Sequence, residues 1–154
     1  MPNNRPIADT GAGSLSLWDA LFEDCVSQAL EAAIGLGLEQ RAADLPAIAR
    51  LARCLVEGAC QVQAHEVHLD TDVSVGLTQV FFRIDGALHS FAWLPTRLRD
   101  PLIDHLLSLA GFGPNAWPTA ADDALALGEA QHWRLTVVPT DEGMRDAILR
   151  RAPT

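Results

Sequence analysis

Between Leu17 and Leu36 the apolar residues recur three and four apart, at Leu17, Trp18, Leu21, Phe22, Cys25, Ala29, Ala33 and Leu36. Charged residues such as Asp19, Glu23 and Glu31 fall between them. That period predicts an amphipathic helix, with Ser16 and Asp19 spaced as a capping box and an end near Gly35 or Gly37. A second helix is predicted from Asp44, with Pro46 in its first turn and Ile48, Leu51, Leu55 and Ala59 on one side. Residues 1–13, from Met1 to Gly13, lack an apolar stretch and are expected to form a mobile tail ahead of one domain over residues 14–154.

The period then shortens to two. His65 to Asp70 and Leu77 to Ile84 alternate as strands, and Asp85-Gly86 joins Leu77 to Ile84 to Ala87 to Trp93 as a type I′ hairpin. Thr96 is placed to cap a third helix striped by Leu98, Leu102, Ile103, Leu106 and Leu109 and stopped by Gly111. Phe112 to Ala121 is predicted as a loop, Ala124 to Leu127 and His132 to Val138 as a second hairpin, and Pro139 to Gly143 as a turn. The segment from Met144 to Arg151 fits either a final strand or a helix capped by Asp141. The expected fold class is α+β: two N-terminal helices, then a largely antiparallel sheet with one intervening helix.

Composition narrows the function. The 154 residues, 49% of them hydrophobic, suffice for one domain with a core. A formal charge of -9 disfavours nucleic acid and anionic lipid surfaces as partners. All eleven basic residues are Arg, so there is no Schiff-base lysine and no GxxxxGK[ST] phosphate loop. No secretory h-region or spanning segment is present, and Cys25, Cys54 and Cys60 form no CxxC pair, which together predict a soluble cytoplasmic protein.

Few residues suggest chemistry. Glu66, His68 and Asp70 alternate on one strand face, as three metal ligands would, but such a face is ordinarily solvated, so neither metal nor cofactor is expected. No GxSxG elbow or comparable nucleophile context occurs, and no enzyme activity is expected. Arg83, beside Asp85, and Arg134 offer forked donors on two strands to a carboxylate or phosphate, and are the candidate interface residues. Trp117, in a Gly/Pro-rich stretch, is a candidate exposed anchor, whereas Trp18, Trp93 and Trp133 are expected in core or rim.

Several segments resemble one family. Ala64-His-Glu-Val-His-Leu69 and the helix before it resemble the A-S-D-I-H-I-E segment of the N-terminal domain of type II secretion and type IV pilus assembly ATPases. Val80-Phe-Phe-Arg-Ile-Asp-Gly-Ala-Leu88 is similar to the family's V-R-F-R-I-D-G-V-L hairpin, and Arg134-Leu-Thr-Val-Val-Pro-Thr140 with Gly143 resembles its R-V-S-T-L-P-T-x-H-G segment. The family's Q-D-G-R stretch is replaced by Asp122-Asp-Ala-Leu125, and its His before Gly by Glu142. The resemblance implies a PAS-like fold, a final strand after Gly143, and an interface role for Arg83 and Arg134, which in those motors face nucleotide held by the core domain. This sequence carries no such core, so the expectation is a non-catalytic protein-binding module, an adaptor or regulator in a bacterial secretion or pilus machine.

The alternative is an acidic type III secretion chaperone-like protein that dimerises and binds an effector segment, and a small enzyme using Glu66, His68 and Asp70 is a third. Either of the first two implies a protein partner, a secretion-machine component or a secreted substrate, and a homodimer is a further candidate assembly.

Overall fold

The computed structural model describes residues 6–37, 39–113, 124–126, 132–140 and 142–151. Their elements run α1 (Pro6–Ile34), a 3-10 turn (Ala42–Asp44), α2 (Pro46–Gln61), β1 (Glu66–Asp72), β2 (Leu77–Ile84), β3 (Ala87–Pro95), α3 (Thr96–Leu109), β4 (Ala124–Ala126), β5 (His132–Pro139) and β6 (Arg145–Arg151). All strand pairs are antiparallel, and the sheet order is β3-β2-β1-β6-β5-β4. The expected α+β class therefore holds, with β6 as the strand that the period alone left undecided.

The α1 backbone is helical from Pro6, ten residues ahead of Ser16, so Ser16 and Asp19 lie inside the helix and are not its start. Proline at a first helical position has a suitable φ and lacks an N–H that would go unpaired, which permits that earlier beginning. The α2 helix also starts at its proline, with Leu45 as N-cap. In α3 the N-cap is Pro95 and no side chain caps the helix. Thr96 Oγ1 lies instead 3.3 Å from Thr78 Oγ1, which lies 3.3 Å from Thr71 Oγ1, so the threonines link the helix start to two strands.

The turns follow their residues. Asp85 (φ 51°) and Gly86 (φ 83°) are both left-handed, as a type I′ turn requires, and this tight turn fixes the β2/β3 register. At the C-terminus of α3, Gly111 has φ 87° and Phe112 N–H donates to the Leu107 carbonyl at 2.9 Å, closing the helix as expected.

Packing makes two layers. The helices bury Phe22, Val26, Ile48, Leu51, Leu55, Leu102 and Leu106 against one sheet face, to which the strands contribute Val67, Leu69, Val80, Phe82, Leu135 and Leu149. Phe91 joins the layers, stacked on Phe82 at 4.3 Å and edge-on to Phe22 at 5.4 Å. Trp133 is fully buried and Arg151 lies over its ring at 5.6 Å, while Trp18 packs on Gly58 in α2 and Trp93 stays exposed. A second tie is ionic: buried Arg145 on β6 donates to Asp104 and Asp100 of α3, and buried Arg99 donates to Thr71 Oγ1 at 2.7 Å.

Candidate functional site

Strand alternation sends the other set of side chains to the face turned away from the helices. Register then places them in cross-sheet rungs. The first runs Leu88, Arg83, Glu66, Arg150, Arg134 and Ala124 through all six strands. The two candidate arginines, 51 positions apart in a chain of 154, thus share one rung with a third, Arg150, and a single carboxylate between them.

Glu66 is the hub of this rung. Its Oε1 accepts from Arg83 Nε at 3.1 Å and lies 2.7 Å from His68 Nε2, while its Oε2 accepts from Arg150 Nε at 3.3 Å. Burial pushes the Glu66 carboxyl up, but the bonds from His68, Arg83 and Arg150 together outweigh it and hold the group below the usual carboxylate range. Arg83 Nη1 also donates to the Gly86 carbonyl at 3.0 Å, so the hairpin turn orients that guanidinium. Asp85 is exposed in the turn and contributes its tolerance of a left-handed φ. Arg134 is exposed, and its side chain makes no ion pair or hydrogen bond with another described residue.

The second rung reads Ser90, which is exposed, and then the half-buried Phe81, His68, Ile148 and Thr136. The third reads Trp93, Gln79, Asp70, Asp146 and Val138, the last two paired across β6 and β5. Asp146 lies one residue beyond the last β1/β6 pair, Leu69 with Ala147, where its charge acts on Asp70, and it accepts from Thr71 N–H at 2.9 Å. Burial, and then the Asp146 charge, push the Asp70 carboxyl up. The structure therefore places Glu66, His68 and Asp70 on one face, as expected, but does not bring them together: His68 turns to Glu66, and Asp70 lies two residues further along beside Asp146. Among the described residues no cluster of three or more His, Cys, Asp or Glu side chains is arranged to hold a metal.

This face can present forked, partly unneutralised donors to an anionic group. Arg150 and Asp146 were not identified from the sequence because their segment fitted two structures; reading it as a strand antiparallel to β1 sets Arg150 opposite Glu66. Trp117 lies outside the described residues. No helix among the described residues is long and apolar enough to cross a membrane. No protein-family model matches the chain, and no curated protein matches it.

Proposed function

We propose that this chain is a non-catalytic, cytoplasmic protein-binding module of a bacterial secretion or pilus machine, an adaptor or regulator that docks through the sheet face turned away from α1, α2 and α3. The observation that carries the proposal is the common rung of Arg83 and Arg134. The two arginines that the resemblance to secretion-ATPase N-terminal domains marks as interface residues are far apart in sequence, yet register sets them either side of Glu66 and Arg150. An arginine directly opposite another on a neighbouring strand costs stability, so the fold itself gains nothing from Arg134 facing Arg150. A partner that supplies an anionic group gains two forked donors.

The final strand, and α3 between β3 and β4, agree with the α+β plan that the resemblance implies. The test is capture from native extract with the intact chain as bait, compared with Arg83→Ala and Arg134→Ala. The expected result is a secretion ATPase or its membrane platform, retained by the intact chain and weakened at least about 10-fold by either substitution. Equal capture by all three baits overturns the assignment of the docking face.

A further inference from the structure

The three rungs have a symmetry that the monomer leaves unused. Taking the His68–Ile148 rung as centre, β6 carries Arg150 two residues to one side and Asp146 two residues to the other. The edge strand β3 repeats the pattern in apolar form, with Leu88 at the arginine end and Trp93 at the aspartate end, each 46% exposed.

Within one molecule both ends are unfavourable. The arginine rung has three guanidiniums to one carboxylate, and that carboxylate is already shared by Arg83, Arg150 and His68. The far rung sets Asp70 beside Asp146 and contains no basic residue. The two ends are four residues apart along β1 and β6, about 13 Å.

We propose that the sheet face turned away from α1, α2 and α3 closes on a second copy of this chain, the two sheets packed face to face about a two-fold axis along the His68–Ile148 rung. A half-turn about that axis reverses the strands, so Arg150 of each copy meets Asp146 of the other, and Leu88 meets Trp93. The contact is isologous and closes, because the same patch serves both partners. Face-to-face sheets lie about 10 Å apart, which accommodates Phe81 and Ile148 at the centre.

The half-turn also sets Glu66 over Asp70, where the Glu66 charge is taken up by its own three donors, and the exposed Arg134 over Val138 on the β5 side of the patch. The patch is a few strands wide and three rungs long, smaller than the roughly 800 Å² per partner of a tight complex, so the dimer is concentration-dependent. A partner of the kind proposed above competes with the second copy for the arginine rung, yet self-pairing stands or falls independently of that reading.

Sedimentation of the full chain across protein concentrations tests the pairing. The intact chain is expected to dimerise below about 1 mM, and Arg150→Asp or Asp146→Arg alone to weaken the dimer at least about 10-fold. An equimolar mixture of those two variants should dimerise again, since each intermolecular pair regains opposite charges. Trp93→Ser removes an exposed side chain and should weaken the dimer without altering the circular dichroism spectrum. A wild-type chain that stays monomeric at about 1 mM overturns the proposal. So does a dimer insensitive to Arg150→Asp and Trp93→Ser, or folded charge variants that fail to pair when mixed. Should Asp146→Arg unfold because Thr71 N–H loses its acceptor, Arg150→Asp and Trp93→Ser decide alone.

Discussion

Arg145 Nη1 donates to Asp104 Oδ1 at 3.0 Å, 41 residues away in sequence, and so fastens the last strand of the sheet to the helix that crosses beneath it. Its Nη2 also reaches Asp100 Oδ1, at 3.3 Å, an oxygen shared with Arg99. Only 6% of the Arg145 side chain is exposed, so its charge depends on these carboxylates. Asp104→Ala is expected to cost about 3 kcal/mol in urea unfolding, because it leaves the buried guanidinium only its longer contact with the more exposed Asp100. Arg145→Met in the Asp104→Ala background should recover much of that loss by removing the under-compensated charge. If the second substitution adds to the first, the pair does not act as a unit.

The α1/α2 contact depends on a missing side chain. A Cβ at Gly58 would lie 3.3 Å from Trp18 Cγ and Cδ2, tighter than ordinary packing. Gly58→Leu should therefore lower stability by about 2 kcal/mol despite the better helix propensity of leucine. In a Trp18→Ala background the same Gly58→Leu change should be less costly than it is in the parent, as a double-mutant cycle by thermal unfolding would reveal. Strict additivity of the two changes would show that the helices do not meet through this pair.

How far the fold was legible depends on how local its signals are. The Asp85-Gly86 turn lies in two adjacent residues that both need φ above zero, so the hairpin could be recognised without any distant contact. The start of α1 could not, because Ser16 and Asp19 have the right spacing for a cap yet the helix runs on through them from Pro6. Strand β6 was ambiguous for a different reason: Arg145, Ala147 and Leu149 are inward only when paired with β1 and β5, and those pairings are non-local. The same non-locality concealed the arginine rung. Arg83 and Arg134 were recognisable as strand arginines, whereas Arg150 gains its place opposite Glu66 only from register.

Cys54 and Cys25 meet where α1 packs on α2. Burial, followed by the neighbouring Cys25, pushes the Cys54 thiol from 9.0 up to about 12. A folded pKa above the unfolded value means that the neutral thiol contributes stability in full below pH 9.0, and that this contribution is lost as pH rises towards about 12. Native protein at pH 8 should therefore leave Cys54 unmodified by an alkylating reagent until urea unfolds it. Rapid Cys54 labelling under native conditions, read by peptide mass spectrometry, would contradict its burial. Cys54→Ala should flatten the alkaline fall in stability.

Two carboxylates on β1 should give opposite pH signatures. Glu66 is held below the usual range because His68, Arg83 and Arg150 outweigh its burial, so the unfolded chain takes up its proton at a higher pH than the folded one. Its contribution is present above the ordinary carboxylate pKa and is lost as pH falls through the depressed folded value. Asp70 is shifted the other way, by burial and then by Asp146. Its protonated form is the favoured one in the fold, so stability from that group is complete in acid and declines as pH rises through the raised folded pKa. Glu66→Gln should therefore destabilise by about 1–2 kcal/mol at neutral pH, with the deficit shrinking in acid. Asp70→Asn should stabilise at neutral pH, with the gain vanishing in acid. Urea titrations of the two variants and the parent from neutral pH into the acid range check both signs. Deficits of the same sign at both positions would show that the sheet face does not separate an arginine-held carboxylate from an aspartate pair left without a cation.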